Sequence, residues 1–270
     1  MNIKRKMPPL MKKSEKTGLK KKHRELGLNI IPAFIMALCV LFWQVAVDLF
    51  NVQPFVLPSP IKVFKALYDE RSLLLTHTLV TIGEAFSGFG IAIVLGIIFG
   101  LLMGYYKPVR VALYPIFVVT QTIPLIILAP LFAIWFGFGF LPKVIIVVLM
   151  CFFPITITFT QDLIKSDEDM NNILKVMGAS KWKSFRLARI PQALPGLFSG
   201  IKIAVTYSIT GAVISEWVGA KQGLGIYMTR AMTSFKTSVL FADVVIIVVL
   251  SLLLYKIVEI AEKKLIKKID

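Results

Sequence analysis

The chain has 270 residues, of which 57% are hydrophobic, with mean hydropathy +0.78 and a formal net charge of +16. Ordinary soluble domains are about 45–50% apolar, so the excess excludes a conventional globular core and points to a membrane protein. The charge is not a nucleic-acid signature, because Lys and Arg lie in the tails and between apolar runs, where the positive-inside rule puts them.

In chain order, residues 1–28 form a lysine-rich arm that includes Met7-Pro8-Pro9 and is expected to be disordered. The next apolar run, 29–50, is longer than a signal-peptide core, and no A-x-A-like site comes after it. It therefore reads as an uncleaved first span. At about 20 residues per crossing, five more spans are expected at 75–104, 109–137, 141–164, 197–219 and 239–261. Pro115, Pro124 and Pro130 interrupt the third, which a bundle tolerates where neighbours re-satisfy the backbone. In the second, Gly96 and Gly100 form a small-xxx-small pair suited to seating another helix. The fold class is thus an all-α polytopic bundle, with a basic arm over 1–28 and one membrane domain over 29–270.

Placing the N-terminus inside puts 22 of the 31 Lys and Arg residues in the inner segments and 7 in the outer ones. Both termini are therefore expected in the cytoplasm. The same orientation places the polar stretch of about 165–196 inside. Ile173, Leu174 and Met177 have helical spacing, Gly178 supplies a stop, and Trp182, Phe185 and Leu187 start a second amphipathic turn. Pro191 and Pro195 are expected to end or kink that second helix.

Chemistry-bearing residues are few. Cys39 and Cys151 both fall in apolar runs and read as free thiols. With only two histidines, the chain offers almost nothing for metal or nucleophilic chemistry, so no catalytic residue, metal site or cofactor is expected. There is no G-x-x-x-x-G-K-[ST] loop, so an ATP-driven version of this protein would need a separate ATPase. Ionisable residues within spans are functional candidates by default. His77 and Glu84 share a face near the outer end of span two, where water would also suit them. Lys202 is expected to snorkel to the inner interface. Glu216 and Trp217 close span five, where they would hold a heterocyclic solute or else form a hydrated interfacial pair. Gln121, Thr122, Tyr207 and Thr210 are candidate path-lining residues, although such hydroxyls also bond their own helix backbone. The glycine-rich stretch Gly219–Gly225 would form an outer gate or follow a delivering protein.

The stretch from Gly178 to Ala188-Arg189-Ile190-Pro191 resembles the cytoplasmic E-A-A, x3, G, x9, I-x-L-P loop of bacterial ABC importer permeases, with Asn172, Ile173 and Leu174 standing where E-A-A would be. Leu57-Pro58-Ser59-Pro60, followed by an amphipathic helix, is similar to the nitrate/sulfonate/taurine branch, which includes permeases for thiamine pyrimidine precursors. The resemblance implies a bacterial cell-membrane permease without activity of its own. It implies cytoplasmic ATPases gripping a loop built from Ile173, Leu174, Met177, Gly178, Ala179, Trp182 and Pro191, with a second permease copy around the path. It also implies an external solute-binding protein. Glu216 to Ala220 (Glu-Trp-Val-Gly-Ala) looks closer to the pyrimidine-precursor permeases than to the sulfonate ones. The competing classes are a membrane-embedded enzyme, which would need convergent His, Asp or Glu at mid-membrane, and a passive channel, which would not need the Gly178 loop.

Overall fold

The computed structural model describes residues 31–165, 170, 173–174 and 176–266. The basic arm lies outside these residues, as do Asn172 and most of the first half of the Gly178 loop. The described residues form helices joined by short turns: α1 (Ile31–Leu49), α2 (Pro60–Asp69), α3 (Arg71–Tyr105), α4 (Lys107–Gln121) and α5 (Leu125–Phe136). They continue as α6 (Phe140–Lys165), α7 (Lys181–Glu216), α8 (Leu224–Thr233) and α9 (Thr237–Ile266). Five are long and apolar enough to cross a membrane, or six if α4 and α5 count as one broken span.

The core is a three-helix sandwich of α3, α6 and α7. On α3, the buried residues Gly88, Ala92, Gly96, Gly100 and Gly104 form a single stripe. A Cβ at Gly88, Gly96, Gly100 or Gly104 would run into Val147, Ile155, Phe159 or Leu163 of α6. Without a hydrophobic force between helices in lipid, close backbone approach through small residues is what drives them together. Gly96 and Gly100 therefore do seat another helix. On the other side of α6, Gly200 of α7 lies against Pro154, Ile155 and Thr158. Cys151 is buried there, its Sγ donating to the Ala204 carbonyl at 3.1 Å, while Cys39 is an exposed free thiol.

Two proline expectations are corrected. The third span is two helices bent by 97°, and only Pro124 breaks it. Pro115 and Pro130 ride inside α4 and α5, whereas Pro124 is extended at φ −62°, ψ 116° and opens α5. A proline at a helix start costs nothing there, because its missing N–H would have had no partner. Pro191 and Pro195 do not end their helix either: α7 runs unbroken from Lys181 to Glu216. It makes a π turn over Phe185–Arg189 just before Pro191, with the Ile190 N–H reaching back to the Phe185 carbonyl. That wider turn absorbs the misfit a proline brings to an α-helix. Span five therefore begins far earlier than its apolar run.

The expected turn at Gly178 is present. Gly178 has φ +78°, and the Ala179 N–H reaches the Leu174 carbonyl at 2.9 Å, the 6→1 closure of a glycine-terminated helix. Ser180 then caps α7, its Oγ accepting from the Lys183 N–H at 3.3 Å.

Candidate functional site

A cavity of about 390 Å³ lies where the α4–α5 elbow meets the middles of α6 and α7. Its walls are mainly apolar, with Met150 and Phe153 from α6 and Ile203 from α7. Its polar groups are neutral: Thr120, Gln121, Thr158 and Tyr207. Thr120 Oγ1 donates to the Phe117 carbonyl and Thr158 Oγ1 to the Pro154 carbonyl. Among the described residues, the Gln121 amide and the Tyr207 hydroxyl have no hydrogen-bond partner and are free to meet a guest. Among the described residues, no Lys, Arg, Asp or Glu lines the cavity. Irregular backbone at membrane depth is tolerated where it lines a cavity, and broken helices mark binding sites in transporters.

The expected path residues separate. Gln121 and Tyr207 meet on the cavity, and Thr122 stands at its elbow with its Oγ1 donating to the Val119 carbonyl at 2.7 Å. Thr210 donates to the Thr206 carbonyl and does not line the cavity. Glu216 and Trp217 are not there either: Glu216 is fully buried elsewhere, and Trp217 is 41% exposed beside it. Thr120 and Thr158 escaped the sequence reading; Thr158 lies between Ile157 and Phe159, which give no sign of which face points inward.

Glu216 belongs to a polar knot at the opposite end of α7 from Gly178. Its Oε1 accepts from Thr81 Oγ1 and its Oε2 from the Gly225 N–H, both at 2.6 Å. Thr81 Oγ1 also accepts the Leu224 N–H at 2.8 Å, and His77 Nδ1 accepts the Gly223 N–H at 3.0 Å. That acceptance fixes His77 as the neutral tautomer carrying its proton on Nε2. The His77 ring stacks on Tyr227 at 4.7 Å. Tyr227 Oη donates to Glu70 Oε2 at 3.2 Å, and burial, then the Glu70 carboxylate, holds its phenol up at about 12. Glu84 Oε1 forms a 2.6 Å ion pair with Lys143. So His77 and Glu84, expected near water, are buried. Lys143 is in the first turn of α6. Lys202, expected to snorkel to the inner interface, pairs with Glu262 in the last turns of α9 at 2.9 Å. Among the described residues, no His, Cys, Asp and Glu cluster could hold a metal ion.

At the Gly178 end, Ile173, Val176, Met177 and Trp182 expose more than half of their surface, an exposed apolar patch in a basic setting. Leu174 and Ala179 are half-buried, as is Pro191 within α7. The patch rests on α3: Tyr105 makes edge contacts with Trp182 at 5.4 Å and Phe185 at 5.1 Å, and Lys181 Nζ sits 5.0 Å from its ring centre. A push on the turn therefore meets α3 and α7 together.

Residues 92–268 match the family described as binding-protein-dependent transport system inner membrane component. The chain is 36% identical over 223 residues to the formylaminopyrimidine transport permease protein ThiX of Halalkalibacterium halodurans, covering 82% of this chain and 89% of that one. It is 32% identical to the riboflavin transport system permease protein RibX of Chloroflexus aurantiacus, covering 88% and 89%. It is 30% identical to the putative aliphatic sulfonates transport permease protein SsuC of Bacillus subtilis, covering 94% and 91%. A crystal structure of an amino acid ABC transporter with histidines shares the fold, with TM-score 0.61 and 17% identity, covering 74% of this chain and 98% of that one. A bundle with a cavity at a broken span, an exposed turn at one end and this sequence kinship thus belongs to the binding-protein-dependent inner membrane component family: the chain is a multi-pass membrane permease subunit of an ABC transporter, not an enzyme.

Proposed function

We propose that this permease carries a neutral nitrogen heterocycle of the formylaminopyrimidine type through the cavity at the α4–α5 elbow. The observation that carries the reading is the charge-free lining, in which Gln121 and Tyr207 are unengaged beside Phe153. Amide and phenol groups read ring nitrogens and exocyclic amines, the aromatic wall stacks, and nothing there pairs with a sulfonate. A volume of about 390 Å³ suits a small solute, since ligand pockets run from about 300 Å³ upward. Kinship to a formylaminopyrimidine permease supports the same choice. The cycle needs a binding protein to deliver the solute, cytoplasmic ATPases against Ile173, Met177, Gly178 and Trp182, and a second copy of this chain across the path. Both termini then face the cytoplasm.

The test is uptake of labelled formylaminopyrimidine by cells expressing the whole transporter, with riboflavin, taurine and an aliphatic sulfonate as competitors. Only unlabelled pyrimidine should compete. Gln121→Ala and Tyr207→Phe should each weaken apparent affinity about 2- to 10-fold, the worth of one hydrogen bond of about 0.5–1.5 kcal/mol. Uptake of sulfonate or taurine without uptake of pyrimidine would refute the substrate and leave the permease assignment standing.

A further inference from the structure

Helix α8 begins at Leu224, and nothing in its own sequence caps it: its N-cap is Gly223, which makes no side-chain bond. The first N–H groups of a helix have no partner inside it, and because Gly223, Leu224 and Gly225 are buried, water does not substitute. Here three consecutive donors are taken up from outside the helix. Gly223 N–H goes to His77 of α3, Leu224 N–H to Thr81 of α3, and Gly225 N–H to Glu216 of α7. Thr81 links the set by donating to Glu216. A carboxylate is also the group a helix N-terminus favours electrostatically.

The chain is shaped to permit this. Gly223 has φ +127°, and a Cβ there would collide with the Glu216 carboxyl group. A Cβ at Gly225 would meet the Val213 carbonyl. Just before the capped group, Lys221 and Gln222 are exposed, and the Lys221 carbonyl is held at 3.1 Å by Arg230 from the far side of α8. The loop is thus fixed at its base by His77, Thr81 and Glu216, and at its tip by Arg230. Only the tip faces outward.

We propose that Glu216, with Thr81 and His77, is a positioning residue rather than a solute contact: the three cap α8 externally and hold the Lys221–Gln222 tip in the shape met by the solute-loaded binding protein. This docking role rests on the permease reading above, whereas the cap itself does not. A tip freed of its cap would visit the competent shape only part of the time. Apparent affinity falls by that fraction, while turnover at saturation is untouched.

Two measurements decide it. Hydrogen–deuterium exchange on the permease in nanodiscs should show slow amides at 223–225. Glu216→Ala and Thr81→Val should speed them about tenfold or more, one lost hydrogen bond being worth close to a decade in the opening equilibrium. Glu216→Gln keeps an acceptor for Gly225 and should stay within about twofold of wild type. In the reconstituted transporter, Glu216→Ala should raise KM for loaded binding protein about tenfold and leave Vmax within about twofold, with Glu216→Gln near normal. Slow amides in Glu216→Ala would overturn the cap. Fast amides with unchanged KM would overturn the docking role, and so would a Glu216→Gln that loses transport with its amides still protected. A wild-type complex that imports no pyrimidine would defeat the substrate reading alone, since exchange and KM for whichever loaded binding protein stimulates ATP hydrolysis still decide this one.

Discussion

Lys143 and Glu84 approach to 2.6 Å with almost no exposed surface, and either charge buried alone would be very expensive. Breaking a buried pair from one side typically costs about 3–5 kcal/mol, while removing both partners is close to neutral. Lys143→Met should therefore sharply lower the thermal stability of the purified permease, and adding Glu84→Gln should restore most of it. A single variant as stable as wild type would show that water or another cation already serves Glu84. Gly178 offers the opposite case. A Cβ there would meet nothing within 4 Å, yet φ is +78°, so the cost of a side chain is conformational, about 1–2 kcal/mol. Gly178→Val should insert normally but uncouple ATP hydrolysis from uptake, with Gly178→Asn milder because asparagine tolerates that region. Equal uptake in both variants would mean that the turn does not carry coupling.

The glycine stripe of α3 sets how near α6 can come, so helix pairing is decided by shape. Gly100→Leu should push Phe159 out of register and destabilise by about 1–3 kcal/mol, the usual cost of overpacking. Phe159→Ala in the same chain should recover part of the loss. Unfolding of the two variants in detergent tests this, and failure of the second change to help would place the stripe's role elsewhere. This level also explains what the sequence could and could not reveal. Span lengths and the Gly178 turn are local properties, governed by hydropathy and backbone conformation, and they read directly. The fate of prolines does not: Pro124 breaks a helix while Pro115, Pro130, Pro191 and Pro195 do not, because a π turn or tertiary packing decides each case. The knot was hidden for another reason. Glu216 and Gly225 are close in the chain, but His77 and Gly223 are 146 positions apart, and Lys143 and Glu84 are 59 apart. No periodicity signals such meetings. Of the path residues only Gln121 and Tyr207 converge, since an apolar helix with scattered hydroxyls does not announce which face is inward.

One helix joins the two working ends of the molecule. α7 has 36 residues, which at about 1.5 Å each is roughly 54 Å, long enough to cross the bilayer and project beyond it. It starts beside the Gly178 turn, passes the cavity at Ile203 and Tyr207, and ends at Glu216 in the knot. Displacement of the turn thus has a rigid route along α7 to the cavity and the far end, braced by α3 through Tyr105 at the start and Thr81 at the finish. The direction of that route across the membrane comes from charge. The sequence's expected inner segments hold 22 Lys and Arg residues and its outer ones 7, so the positive-inside rule predicts Gly178 in the cytoplasm and Lys221 outside. In a chain freed of Cys39 and Cys151, Lys221→Cys should react with an impermeant maleimide added to intact cells. Lys181→Cys, on the exposed start of α7, should react only after the membrane is opened. The reverse pattern would invert the topology, and with it the side from which ATPases reach Met177 and Trp182.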